Sequence, residues 1–141
     1  MAIPARLRLW KVYLSATAAL FAAACAETPA SFRSPCTSGV CKAWVTVVDC
    51  AQGHLPVNPD PIRVPGTNNI EWTIDTDGYK FPANGIVVSD PGFTGGHVTG
   101  NGKKFILNDA ARVGYYKYTV TVVRESDGVT CKPYDPFIHN S

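Results

Sequence analysis

"GYYKYTVTVVRE", residues 114–125, decides the fold class. Tyr116, Tyr118, Val120 and Val122 share one side of an extended chain, and Tyr115, Lys117, Thr119 and Thr121 share the other. Successive side chains of a strand point to opposite faces, so this period of two marks a half-buried strand. The β-branched and aromatic residues suit a pleated surface. The side bearing Tyr118 and Val120 is the expected core face.

The pattern recurs outward from there. In "NIEWTID" (69–75), Ile70, Trp72 and Ile74 face one way while Glu71 and Thr73 face the other. Further strand runs are "KAWVTVVDC" (42–50), "PIRVP" (61–65), "NGIVVSD" (84–90) and "KKFILN" (103–108), with a short last run near "TCKPY". Each is bounded by turn residues. "NDAARVG" (108–114) is the single candidate for a helical turn, with Asn108 or Asp109 as cap and Gly114 as stop. "SDPGFTGGHVTGNG" (89–102) reads as a long flexible hairpin loop. It lacks the strand-to-helix setting and the Lys-Ser/Thr ending of a phosphate loop. About six to eight short strands separated by turns predict an all-β fold, an antiparallel Greek-key sandwich. The chain is 45% hydrophobic and 17% charged, with eleven prolines and twelve glycines, which is the composition of one globular domain.

Residues 1–26 differ from the rest. Arg6, Arg8 and Lys11 precede the apolar run "VYLSATAALFAAAC", and Ala24 and Ala26 flank Cys25 in an A-x-A arrangement before Glu27. This is the layout of a secretory signal, and at about 14 residues the run is shorter than the roughly 20 that cross a membrane as a helix. "FAAAC" also resembles a bacterial lipoprotein box, in which Cys25 is lipidated, although Ala22 stands where Leu is usual. Under either reading residues 27–41 form an N-terminal tether and 42–141 the sandwich. The expected location is periplasmic or secreted, with an outer-membrane lipoprotein as the second possibility. The segment removes three of the 13 Lys and Arg and none of the 11 Asp and Glu, so the remainder carries ten against 11, a net charge of −1. No clustered basic face points to nucleic acid.

Four cysteines remain after Cys25: Cys36, Cys41, Cys50 and Cys131. An even number in an exported domain reads as two disulfides. A strand between Cys41 and Cys50 would hold its ends about 30 Å apart, against the roughly 7 Å that a bridge allows. Of the two pairings left, Cys36–Cys41 with Cys50–Cys131 is expected, the first closing a small loop and the second tying the first strand to the last.

The stretch "IRVPGTNNIEWTIDTDGYKFPANGIVV" (62–88) resembles the middle of a cupredoxin. Val64-Pro65-Gly66 gives that family's turn, Ile70-Glu71-Trp72 its strand, and Phe81-Pro82-Ala83-Asn84 its Phe-Pro-His-Asn loop. Gly114, Tyr116 and Tyr118 are similar to its Gly-x-Tyr-x-Tyr-x-Cys strand, with Val120 at the place of the copper cysteine. The resemblance spans residues 42–125 and implies the fold. It does not carry over the electron transfer, because a blue-copper site needs two imidazoles and a thiolate. Ala83 and Val120 stand at two of those places, and the only methionine is Met1. No cofactor is expected.

Other chemistry is sparse. His54, His97 and His139 lie in expected loops or the tail without ligand spacing, and a metal-handling envelope protein using them is the alternative reading. Ser89, Asp90 and His97 are near in sequence, but no G-x-S-x-G surrounds the serine. Asp75 and Asp77 sit in a turn, where Asp is common for backbone bonding. The expectation is therefore a non-enzymatic binding or structural protein of the cell envelope. Its partner would be a protein or another envelope component. Trp44, Trp72, Tyr116 and Tyr118 are assigned to the core, whereas Tyr79, Phe81, Pro82, Tyr134 and Phe137 lie in proline-bounded loops and are the expected contact patch.

Overall fold

The computed structural model describes residues 36–141. The signal segment, residues 27–35 and Cys25 lie outside the described residues. Twelve strands follow in order: β1 Cys36–Thr37, β2 Val40–Val45, β3 Val57–Asn58, β4 Ile62–Val64, β5 Asn68–Ile74, β6 Tyr79–Lys80, β7 Ile86–Val88, β8 Phe93–Thr99, β9 Lys104–Asp109, β10 Gly114–Val120, β11 Val123–Arg124 and β12 Phe137–Asn140. Among the described residues there is no α-helix, and the one helical turn is a 3-10 turn at Gly100–Gly102.

The all-β reading holds, but the sheets are mixed and not purely antiparallel. One sheet runs β1-β2-β5-β9-β8 with β3 also on β2, the other runs β4-β12-β10-β7, and β6 and β11 form a two-stranded ladder. β2 lies parallel to β5, and β4 parallel to β12. Parallel neighbours need a crossover, and residues 46–67 supply one by folding back on β2 as β3, passing through β4 in the second sheet, and returning to β5.

Alternation places the core between the sheets. Ala43, Val45, Ile70, Trp72, Ile74, Phe105 and Leu107 face Ile62, Val64, Ile86, Tyr118, Val120 and Ile138, all buried. Trp72 Nε1 donates to Tyr118 Oη at 3.1 Å, and the rings sit 5.4 Å apart. A buried indole and phenol each need such a partner. Burial pushes the Tyr118 phenol far up, against the lowering effect of its bond with Trp72.

Both expected bridges are present, Cys36–Cys41 and Cys50–Cys131. The longer one is held by close backbone approach: Lys132 N donates to Cys50 O at 3.0 Å. Gly53 permits it, having φ +71°, and a Cβ there would stand 2.8 Å from Lys132 O. Only glycine meets both demands without strain.

Several local expectations are corrected. Residues 36–41 are not tether: they form the β1–β2 hairpin, and Cys41 is fully buried. The strand expected over 42–50 ends at Val45. The supposed flexible loop 89–102 contains β8, anchored by buried Phe93 on Tyr116, with ring centroids 5.1 Å apart. A bulge between Thr94 and His97 breaks its alternation, and the adjacent Gly95 and Gly96 hid the strand. At 108–114 there is no helix, because Asp109 still belongs to β9. "TCKPY" contributes only single bridges at Thr130 and Tyr134, and the last strand is β12.

Candidate functional site

The Phe-Pro loop is built to bury its first residue. Phe81 N donates to Gly102 O at 2.8 Å, and Gly85 N donates to Pro82 O at 2.9 Å, closing the turn. The Phe81 ring is buried, edge-on to Phe105 at 5.9 Å. A Cβ on Gly85 would come within 2.8 Å of the Phe81 ring. Phe81 is therefore core and cannot belong to an exposed patch, contrary to the sequence reading. Proline-bounded loops can bury a side chain when a neighbouring glycine lets the ring in.

The other members of that expected patch separate. Tyr79 and Pro82 are half-buried, and Tyr79 pairs with Arg124 in the β6–β11 ladder. Tyr134 is half-buried, packs on the core and bridges Val120. Phe137 is 44% exposed, but it sits in β12 opposite Lys117, its backbone N–H donating to Asp60 Oδ1 at 3.1 Å. The five residues do not make one exposed surface. The places that the cupredoxin resemblance gives to copper ligands hold the exposed methyl of Ala83 and the fully buried isopropyl of Val120. Neither side chain has a donor atom.

Several of the candidate catalytic and metal residues are held by hydrogen bonds. Asp90 Oδ1 accepts from Gly92 N at 2.8 Å, and the His97 ring bonds Gly95 O at 2.8 Å through Nδ1. Asp75 Oδ2 accepts from Thr46 Oγ1 at 2.8 Å. His54 pairs with Asp49 in a hairpin, while His97 and His139 lie in β8 and β12 and not in loops. The three sit on separate elements. Among the described residues no three His, Cys, Asp or Glu side chains converge.

A different surface carries several of the exposed apolar groups: the outer face of β4-β12-β10-β7. Register lines up Arg63, His139 and Tyr115 in one row, Phe137 and Lys117 in the next, and Thr119 and Val87 in a third. Tyr115 is 65% exposed and Val87 47%, and Val113, just before β10, is 79% exposed. The Tyr115 and His139 rings stack in parallel, 4.2 Å between centroids and 5° between planes. Lys117 Nζ stands 3.0 Å from Asp135, which also accepts from Thr119 Oγ1 at 2.9 Å. Those two partners, Lys117 first, hold the Asp135 carboxyl below its usual range. The face thus offers flat aromatic and aliphatic area, bordered by the guanidinium of Arg63.

Sequence reasoning missed this face. Tyr115, Lys117 and Thr119 were placed correctly on the non-core side of β10, but their neighbour β12 was not seen as a strand. The four residues "FIHN" alternate, with Ile138 and Asn140 in and Phe137 and His139 out. So short a run gives little period to read. Trp44 was missed differently: its β2 neighbours Ala43 and Val45 take the inward positions, leaving the indole exposed. No protein-family model matches this chain, and no curated protein matches it either.

Proposed function

We propose that this is an exported, copper-free, cupredoxin-like protein that works by binding at the cell envelope, and that the outer face of β4-β12-β10-β7 is its contact surface. The observation that carries the surface is the coincidence of Tyr115, Phe137 and Val87, all exposed, at one sheet face. Contiguous exposed apolar area marks interaction sites, and aromatic side chains contribute most where a partner desolvates them. Two disulfides fit an oxidising compartment. The partner is a protein or another envelope component presenting an apolar strip beside an acidic group that can meet Arg63. The absence of donor atoms at Ala83 and Val120 supports the copper-free reading. Cu(II) added to the oxidised domain should give no intense thiolate-to-copper band, and its appearance would refute that part.

Chemical cross-linking from residues flanking this face tests the surface in intact cells. Tyr115→Ser and Phe137→Ser should abolish the cross-linked species while leaving the melting temperature unchanged. Val48→Ser, at an exposed valine in the loop after β2, should retain it. Equal retention by all three variants would sink the assignment.

A further inference from the structure

The inward rows of the two sheets end in polar residues. In β9 the sequence of core positions is Phe105, Leu107, Asp109, and in β12 it is Ile138, Asn140. Asp109 is fully buried and Asn140 nearly so. They meet between the sheets: Asn140 Nδ2 donates to Asp109 Oδ1 at 2.9 Å. Ala111 N donates to the same oxygen at 3.0 Å. The other oxygen of each group, Asp109 Oδ2 and Asn140 Oδ1, is buried with no hydrogen-bond partner.

This distribution distinguishes two protonation states. A carboxylate spreads its charge over both oxygens and accepts at both. In that state Oδ2 would be a partly charged acceptor buried without a protein donor, which is costly. A carboxylic acid is different: its carbonyl oxygen takes two donors, and its hydroxyl needs one acceptor. Asp109 Oδ1 has two donors. The acceptor left over on the same partner is Asn140 Oδ1. One proton on Oδ2 therefore satisfies both orphaned atoms. We propose that Asp109 keeps its proton well above the pH at which an ordinary aspartate releases it, and that its Oδ2 hydroxyl donates to Asn140 Oδ1, making a proton-dependent acid–amide clasp between the two sheets.

The electrostatic surroundings agree. Burial pushes the Asp109 carboxyl up and Asp90 pushes it further, while the bonds from Ala111 and Asn140 pull it down. Around it, β5 presents Asn68 in register, β8 presents Phe93, and the strand before Asn140 turns His139 outward onto Tyr115. Arg112 nearby is exposed. Asp90 is thus the charged group that couples to Asp109, and it opposes ionisation. Loss of the proton to solvent leaves two acceptors on the orphaned arms and no donor between them. Because the folded-state affinity for the proton is raised, the clasp contributes fully in acid, below the unfolded pKa. It is lost as pH rises through the folded pKa.

The test compares the oxidised wild-type domain with Asp109→Asn, whose amide supplies a permanent donor toward Asn140. Denaturant midpoints are measured from pH 4 to pH 8. Wild type should lose stability relative to Asp109→Asn as pH rises, and the variant should match or exceed it at pH 8. A wild-type advantage that grows with pH would overturn the proposal. The side-chain carboxyl 13C resonance of Asp109 in wild type decides the matter independently if the variant does not fold. A midpoint above the ordinary aspartate range is expected. A midpoint in the ordinary range would refute it. Calcium chloride at neutral pH should leave both proteins unchanged; stabilisation of wild type alone would assign the orphaned oxygens to a cation and overturn the clasp.

Discussion

The two ends of the sandwich are closed by opposite chemistry. At the Val120 end, hydrocarbon does it: Phe81 lies on Phe105, Val120 and Val122 are fully buried, and Cys50–Cys131 ties the loops. At the Gly114 end, a carboxyl and an amide meet, Asp109 from one sheet and Asn140 from the other. Apolar closure is insensitive to pH and direction. Polar closure depends on a donor count and fails when one proton is missing. The end whose sequence suggested a vanished metal site is the inert one, and the titratable end has no recognisable motif.

The contrast can be broken by substitution. Phe81→Ala should have the largest effect, about 3–5 kcal/mol lost, read from urea or guanidinium midpoints. A loss below about 1 kcal/mol would mean that the ring is not core. Replacing Cys50 and Cys131 together by Ser should cost roughly 2–5 kcal/mol. The bridge spans a sequence separation of 81, and reduction of wild type should reproduce most of the effect. Tyr118→Phe should cost about 1–3 kcal/mol, because it strands the buried Trp72 Nε1 donor. None of these three losses should vary with pH between 5 and 8, in contrast to the Asp109 comparison. Tyr115→Ser should sit at the small end, within about 0.5 kcal/mol of wild type, since its ring is outside both closures.

Long, strictly alternating runs were legible. β5 was placed to within one residue at each end and β10 at its start, although the run expected to reach 125 ends at Val120, and the inward set Ile70, Trp72, Ile74, Tyr118, Val120 is the core. Cysteine count gave two bridges and the expected pairing is the one present, although the strand assumed between Cys41 and Cys50 ends at Val45. What sequence could not supply was neighbourhood. β12 is four residues long, β8 is interrupted by glycines and a bulge, and the meeting of Asp109 with Asn140 depends on two strands being opposite across the core. The aromatic patch failed for a related reason. Proline-bounded loops suggested exposure, but burial of Phe81 is set by Gly85 and Gly102, which are contacts of shape and not of period.

The place of β12 has a consequence for how the domain comes into being. It is the last strand in the chain, yet it stands in the middle of its sheet, between β4 and β10. β4 precedes β12 by a long stretch of chain, so β4 keeps an open edge until β12 reaches it. Such distant pairing is slow to form. Cys50 waits as well, because Cys131 lies far along the chain, whereas Cys36 and Cys41 can pair early across their hairpin. Early closure of the short bridge removes two thiols that would compete for Cys50. Assembly of the second sheet thus waits on the docking of β12 between β4 and β10.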